Sequence, residues 1–230
     1  MKTLGLIGGM SWESTVPYYR MINEEVKQQL GGLHSARLLL YSVDFAQVEQ
    51  LQRQGEWQQA GQMLGEAAAA LRRAGAEVIV LCTNTMHKVA ADIERIGGLP
   101  LLHIADATAQ AVQQQGIRRV ALLGTRFTME QDFYKGRLAT QFGLEVIVPD
   151  DTDRDTVHRI IYDELCLGIL REPSRDAYRR IIRTLEAQGA GGIILGCTEI
   201  ALLVGAQDAQ VPMFDTAALH AVAAARFALA

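Results

Sequence analysis

The chain alternates short apolar runs with longer stretches of helical spacing, and most apolar runs stop at glycine or a small polar cluster. Residues 3–7 form the first run, followed at once by Gly8-Gly9-Met10-Ser11. That pattern reads as strand, tight turn and helix, with Ser11 or Ser14 as the cap and 15–30 as the body. A second strand over 36–43 stops at Asp44. The polar, glutamine-rich stretch 45–54 reads as a loop or short helix, and 56–74 as a helix ended by Gly75. Residues 77–81 give a third strand, 88–96 a helix and 100–104 a fourth strand.

The pattern then starts again. A helix over 108–115 precedes a strand over 119–123, which runs into Gly124-Thr125 as the first strand runs into Gly8-Gly9. Helix 130–142, strand 144–148, helices 156–170 and 174–188, strands 193–195 and 211–214 and a closing helix 216–229 complete it. The third strand and its counterpart are close copies: GAEVIVLCTNTMH from Gly75 and GAGGIILGCTEI from Gly189. Counted forward in step, Thr83 falls opposite Cys197, Asn84 opposite Thr198 and Thr85 opposite Glu199. The conspicuous first cysteine, Cys82, falls opposite Gly196.

Strands alternating with helices imply parallel sheets covered by helices. The expected fold is therefore α/β, with two similar lobes, each a parallel sheet flanked by helices. Residues 1–102 plus 212–230 are assigned to the first lobe and 103–211 to the second.

Composition narrows the function. Hydrophobic residues make up 49% and charged residues 21%, which is ordinary for a globular protein with a real core. A net charge of −4 argues against a nucleic-acid binder, which would carry a basic patch. It leaves room for an anionic small molecule held by a few local donors. No apolar stretch is long enough to span a bilayer, and the N-terminus turns polar too soon for a secretory signal, so no membrane partner and a cytoplasmic location are expected. Three scattered cysteines without CxxC argue against a disulfide framework or a metal site and fit a reducing compartment.

Ligands of open parallel sheets bind at the carboxyl ends of the strands. Gly8–Ser11, the segment after Asp44, Thr83–His87, Gly124–Thr128 and Cys197–Glu199 are all placed on that edge. Gly8-Gly9 matches no nucleotide-binding fingerprint and reads better as a tight turn. Cys166 lies in an apolar helical pattern and reads as core, and Cys82 as a packing thiol. Cys197 follows a glycine at a strand end, where a thiol can act as base or nucleophile. His87 reads as support for its loop or for a thiolate, and the repeat-mates His103 and Asp215 as hydrogen-bonding groups between lobes. Lys88 has no phosphate pocket around it that would suit pyridoxal phosphate.

The runs Gly8-Gly9-Met10-Ser11, Thr83-Asn84-Thr85-Met86-His87 and Gly196-Cys197-Thr198-Glu199 together resemble the aspartate/glutamate racemase family, over nearly the whole chain. The resemblance implies two lobes related by pseudo-twofold symmetry with the active site between them, and racemisation without pyridoxal phosphate, metal or any other cofactor. It implies two cysteines working on opposite faces of the substrate α-carbon, and a homodimer as the precedent for assembly. The sequence departs from the family at one place. Where the family has its first cysteine, directly before Asn-Thr, this chain has Thr83. Thr83 and Cys197 are therefore the expected catalytic pair, and the L-enantiomer, which the second-half cysteine faces in related glutamate racemases, the favoured substrate. Met10, Asn84, Thr85, Thr125, Thr128, Thr198 and Glu199 are expected to bind substrate. The family's arginine for the side-chain carboxylate has no counterpart after Asp44; Gln52, ahead of Arg53, is the expected substitute. A decarboxylase or isomerase of a dicarboxylate, or a carboxylate binder without catalysis, are the alternatives.

Overall fold

In the computed structural model, which describes all of residues 1–230, the strand β1 (Leu4–Gly8) is buried at every position. A parallel strand covered on both faces has to be apolar throughout, and this one is. Gly9 turns the chain with φ +91, and a side chain there would strike the Val43 carbonyl. The helix α1 (Trp12–Leu30) buries Tyr18, Ile22 and Val26, each four residues after the last. β2 (Leu38–Ser42), the edge strand, is followed by α2 (Phe45–Gln54) and α3 (Trp57–Arg73). β3 (Val78–Leu81) leads into a 3₁₀ turn (Thr85–Val89), α4 (Ala90–Gly97) and β4 (Leu101–Leu102). The four strands pair in parallel in the order β2-β1-β3-β4.

A second set follows: α5 (Ile104–Gln114), β5 (Arg119–Gly124), α6 (Arg126–Glu130), α7 (Asp132–Phe142) and β6 (Glu145–Ile147). Next come α8 (Asp151–Asp163), a 3₁₀ turn (Leu165–Leu167), α9 (Glu172–Ala187) and β7 (Ile193–Gly196). The short α10 (Ile200–Leu203), β8 (Met213–Asp215) and α11 (Thr216–Leu229) close the chain. Its sheet runs β6-β5-β7-β8, all parallel, so both sheets share one strand order. Alternate residues along the second sheet face opposite ways. Leu123, Ile193 and Leu195 pack with α9, whose Tyr178, Ile181, Ile182 and Leu185 carry helical spacing. Val120, Leu122 and Ile194 pack with α5 and α7.

One compact unit comprises Met1–His103 with His220–Ala230, and the other Ile104–Leu219. The boundaries expected from sequence need correction. Residues 212–219 do not join the first unit, because β8 pairs with β7 and the Ile193 N–H donates to the Pro212 carbonyl at 2.9 Å. The stretch 45–54 is a helix, with Asp44 as its cap accepting from the Ala46 N–H. The helix expected over 156–170 starts earlier and stops earlier. The Asp150 carboxylate caps it by accepting from the Asp153 N–H at 2.9 Å. Cys166 consequently sits half-buried in the 3₁₀ turn rather than in a helix interior.

Candidate active site

The strand register fixes which residues of the two halves correspond. In the first sheet Ile7 pairs with Leu81, and in the second Leu123 pairs with Leu195. One step further on, Gly124 pairs with Gly196, while the Cys82 N–H donates to the Ile7 carbonyl at 2.9 Å. Cys82 thus stands where the second sheet has Gly196, and Thr83 where it has Cys197. Both motifs open on a glycine that needs positive φ, Gly75 at +101 and Gly189 at +91.

Burial follows the same correspondence. Cys82 is wholly buried, and its thiol donates to the Val80 carbonyl at 3.7 Å. Burial pushes that thiol far above its ordinary range. Gly196 is packed tightly, since a Cβ there would sit 2.6 Å from Leu122 Cδ1 and 3.0 Å from the Leu123 carbonyl. Thr83 and Cys197 are each 8% exposed, so both keep an opening that Cys82 lacks.

In the first unit, Thr83–Thr85 follow β3 and lead the 3₁₀ turn. His87 Nδ1 lies 2.8 Å from the Thr83 carbonyl and holds the turn closed. Its ring is buried against His103 and His220, with centroids 4.5 and 5.9 Å away. Burial, then those two neighbours, holds its pKa well below the ordinary 6.5. His220 is fixed in turn by the Tyr18 hydroxyl at 3.0 Å and the Leu102 carbonyl at 2.8 Å. Met10 is buried in the turn after β1. The Gly9 N–H donates to Thr15 Oγ1, whose hydroxyl donates to the Ser11 carbonyl, both at 2.9 Å. That clamp on the turn escaped the sequence reading, and the Ser-to-Thr spacing of four on one helix face was its signal. Gln52 is buried on α2, and its amide donates to Met86 Sδ at 2.9 Å, beside Thr85. Arg53 points away and lies 3.9 Å from Glu49, with most of its side chain in solvent. Lys88 Nζ stands over the Trp57 ring at 3.7 Å.

In the second unit, the Cys197 thiol donates to Glu199 Oε2 at 2.9 Å, and the Thr198 hydroxyl donates to the same oxygen at 2.9 Å. Burial first, and then the Glu199 carboxylate, push the Cys197 thiol well above its ordinary range. Thr125 caps α6, with its Oγ1 3.2 Å from Thr128 Oγ1 and accepting from the Thr128 N–H at 3.3 Å. Asp215 accepts from the Ala217 and Ala218 N–H groups and caps α11. These contacts of Asp215, and that of His103 with His87, lie inside their own units. The structure therefore gathers Met10, Gln52, Thr83, Asn84 and Thr85 at the strand ends of the first sheet. It gathers Thr125, Thr128, Cys197, Thr198 and Glu199 at those of the second. No cluster of three or more His, Cys, Asp or Glu is arranged to hold a metal ion.

The chain belongs to the Asp/Glu/hydantoin racemase family, which it matches over residues 7–224. Among curated proteins it is 22% identical to the broad specificity amino-acid racemase RacX of Bacillus subtilis, over 94% of this chain and 93% of that one. Among solved structures it resembles a proposed Asp/Glu racemase of Yersinia pestis, with 70% identity, TM-score 0.93 and full coverage of both chains. It also resembles an aspartate racemase homologue of Pyrococcus horikoshii, with 38% identity, TM-score 0.83 and full coverage of both. No helix is long and apolar enough to cross a membrane.

Proposed function

We propose that the chain racemises aspartate, glutamate or both without a cofactor, with Cys197 as base and acid on one face of the α-carbon and Thr83 as proton donor on the other. The observation that carries this is the matched register: Thr83 and Cys197 occupy equivalent strand ends with equal openness, whereas Cys82 is sealed at the position of Gly196. Inversion needs a group on each face, since a single base returns its proton to the side it came from. A thiol gives up its proton far more readily than an aliphatic hydroxyl, so the two directions differ. Removal of the α-proton from the L-enantiomer by Cys197 is the facile direction. Removal from the D-enantiomer would fall to Thr83. The equilibrium constant is unchanged, so D-substrate still reacts, with poor kinetics.

Met10, Asn84, Thr85, Thr125, Thr128 and Thr198 supply the surroundings of the substrate, and Gln52 the donor for its side-chain carboxylate. A neutral amide in place of a guanidinium holds that carboxylate less firmly, which suits two substrates of different length. Exchange of the α-proton in deuterated water, followed by NMR from each enantiomer, tests the assignment. Exchange from L-aspartate or L-glutamate at least about tenfold faster than from the D-form is expected. Equal rates from both would sink the role of Thr83. Gln52→Leu should raise KM several-fold more than it lowers kcat, and the reverse would remove Gln52 from the binding site. One thiol at the site also suits a decarboxylase of a substituted malonate, and carbon dioxide release from such substrates would favour that reading.

A further inference from the structure

The resting charge of the site decides what Cys197 can do. Cys197 is buried and donates its S–H proton to Glu199 Oε2 at 2.9 Å. Burial and the adjacent carboxylate both disfavour a thiolate, so the sulfur keeps its proton near neutrality. A protonated thiol is not a base. The neighbouring Tyr178 hydroxyl is also buried, feels Cys197 and Glu199, and keeps its proton. Glu199 is the hydrogen-bond acceptor in direct contact with the reacting sulfur, and it is itself buried, with the Thr198 hydroxyl donating to the same oxygen at 2.9 Å.

We infer that Glu199 is the ultimate acceptor of the proton, with Cys197 acting as a relay between substrate and carboxylate. The inference rests on the racemase reading and gives Glu199 a role through Cys197 in place of a substrate contact. The step balances. The Cα–H bond breaks and a new S–H bond forms; the original S–H bond breaks and an O–H bond forms on Glu199 Oε2. The electron pair of the Cα–H bond stays on the substrate, delocalised into its α-carboxylate. Negative charge moves from Glu199 to the substrate carbanion, and at no point do a thiolate and a carboxylate stand side by side.

Two variants and two readouts test it. In wild type the rate of α-proton exchange from saturating L-substrate should stay level from about pH 6.5 to 9, because no thiol has to lose its proton to solvent. Glu199→Gln keeps the shape and the acceptor but cannot take a proton. Its exchange at neutral pH should fall by about a hundredfold or more, with KM within about threefold of wild type. Its rate should then climb about tenfold per pH unit as solvent removes the thiol proton instead. Glu199→Asp should keep the level profile at a lower rate. Alkylation of Cys197 by iodoacetamide, read by peptide mass mapping, requires no turnover. It should set in at lower pH in Glu199→Gln than in wild type, because a like charge has gone. A wild-type rate that rises about tenfold per unit over the same range overturns the proposal, as does a Glu199→Gln variant as fast as wild type at neutral pH. A change confined to KM makes Glu199 a substrate contact and also overturns it. Absence of exchange in wild type with the alkylation shift intact sinks the racemase reading and leaves the thiol–carboxylate coupling standing. Absence of the alkylation shift sinks the coupling itself.

Discussion

The ends of β3 and β7 are the same place built twice, and they differ by where one sulfur atom sits. At the end of β7 the chain has glycine then cysteine, and the thiol keeps an opening and a carboxylate at 2.9 Å. At the end of β3 it has cysteine then threonine, and the thiol is sealed with a backbone carbonyl for company. Successive residues of a strand face opposite ways, so a shift of one residue exchanges a site position for a core position. Residue type is thus a poor guide to role here, and register is a good one. Two cysteines in similar motifs are predicted to behave as different chemical species.

The largest effect is expected from that contrast. Cys197→Ala should lower α-proton exchange by more than about a thousandfold, because in the proposed relay Cys197 is the group that joins substrate to Glu199. Cys82→Ala should leave exchange within about threefold of wild type and lower stability by about 1 kcal/mol through the small cavity it opens. NMR exchange and denaturant unfolding on the same two preparations check both halves. A Cys82→Ala protein that folds normally and is inactive would reverse the register argument.

A smaller effect should follow from making the two ends alike. Thr83→Cys puts a thiol at both equivalent positions and changes side-chain volume little. Exchange from D-aspartate or D-glutamate should rise at least about tenfold, since a thiol gives up and takes a proton far more readily than a hydroxyl. Exchange from the L-form should change much less, bringing the two directions closer together. An unchanged D-rate in a folded, L-active variant would mean that Thr83 does not face the α-carbon.

Much of this was legible in the sequence because the repeat supplies an internal ruler. The paired glycines Gly75 and Gly189 and the apolar strands after them fix the step without structural help, and the strand pairing agrees with it. The limits of the closing helix α11 were legible too, because its alanine-rich body has no competing signal, although the cap that Asp215 provides was not. Other features depend on forces that a linear pattern does not carry. The placement of 212–219 depends on which sheet β8 pairs with, a tertiary choice. Apolar spacing places the start of α8 late because its first turn is acidic and the spacing begins only at Val157, while the cap at Asp150 sets the true start. The sequence places Gln52 ahead of Arg53, but its burial follows only once 45–54 is a helix, which the sequence leaves open: about 100° separates neighbours, and Val48 and Gln52, four apart, share the buried side of α2. The His87, His103 and His220 cluster joins three distant segments, and no local spacing announces it.

That cluster gives the smallest expected effect, and it too separates the halves. The position of His87 is held in the second half by Ala201, so a buried imidazole supports the β3 end alone. The groups facing it include the His103 and His220 rings and the Thr83 and Leu102 carbonyls, and the Tyr18 hydroxyl binds His220 behind it. Burial first, and then the two histidines, keep His87 neutral in the folded protein to well below pH 6.5. An unfolded chain takes that proton near 6.5. Below that pH the unfolded state binds more protons than the folded one, so stability is full above about 6.5 and is lost as pH falls toward the folded pKa. The loss from this one ring is about 1.4 kcal/mol per pH unit at most. His158, in the second unit, is depressed by partial burial and Arg126, so wild type should lose stability in acid from both units. His87→Asn should flatten the part that belongs to the first unit, at some cost at neutral pH from losing the bond to the Thr83 carbonyl. Urea midpoints measured between about pH 7 and 5 check this, and parallel curves for variant and wild type would show that His87 is not the source of the acid sensitivity.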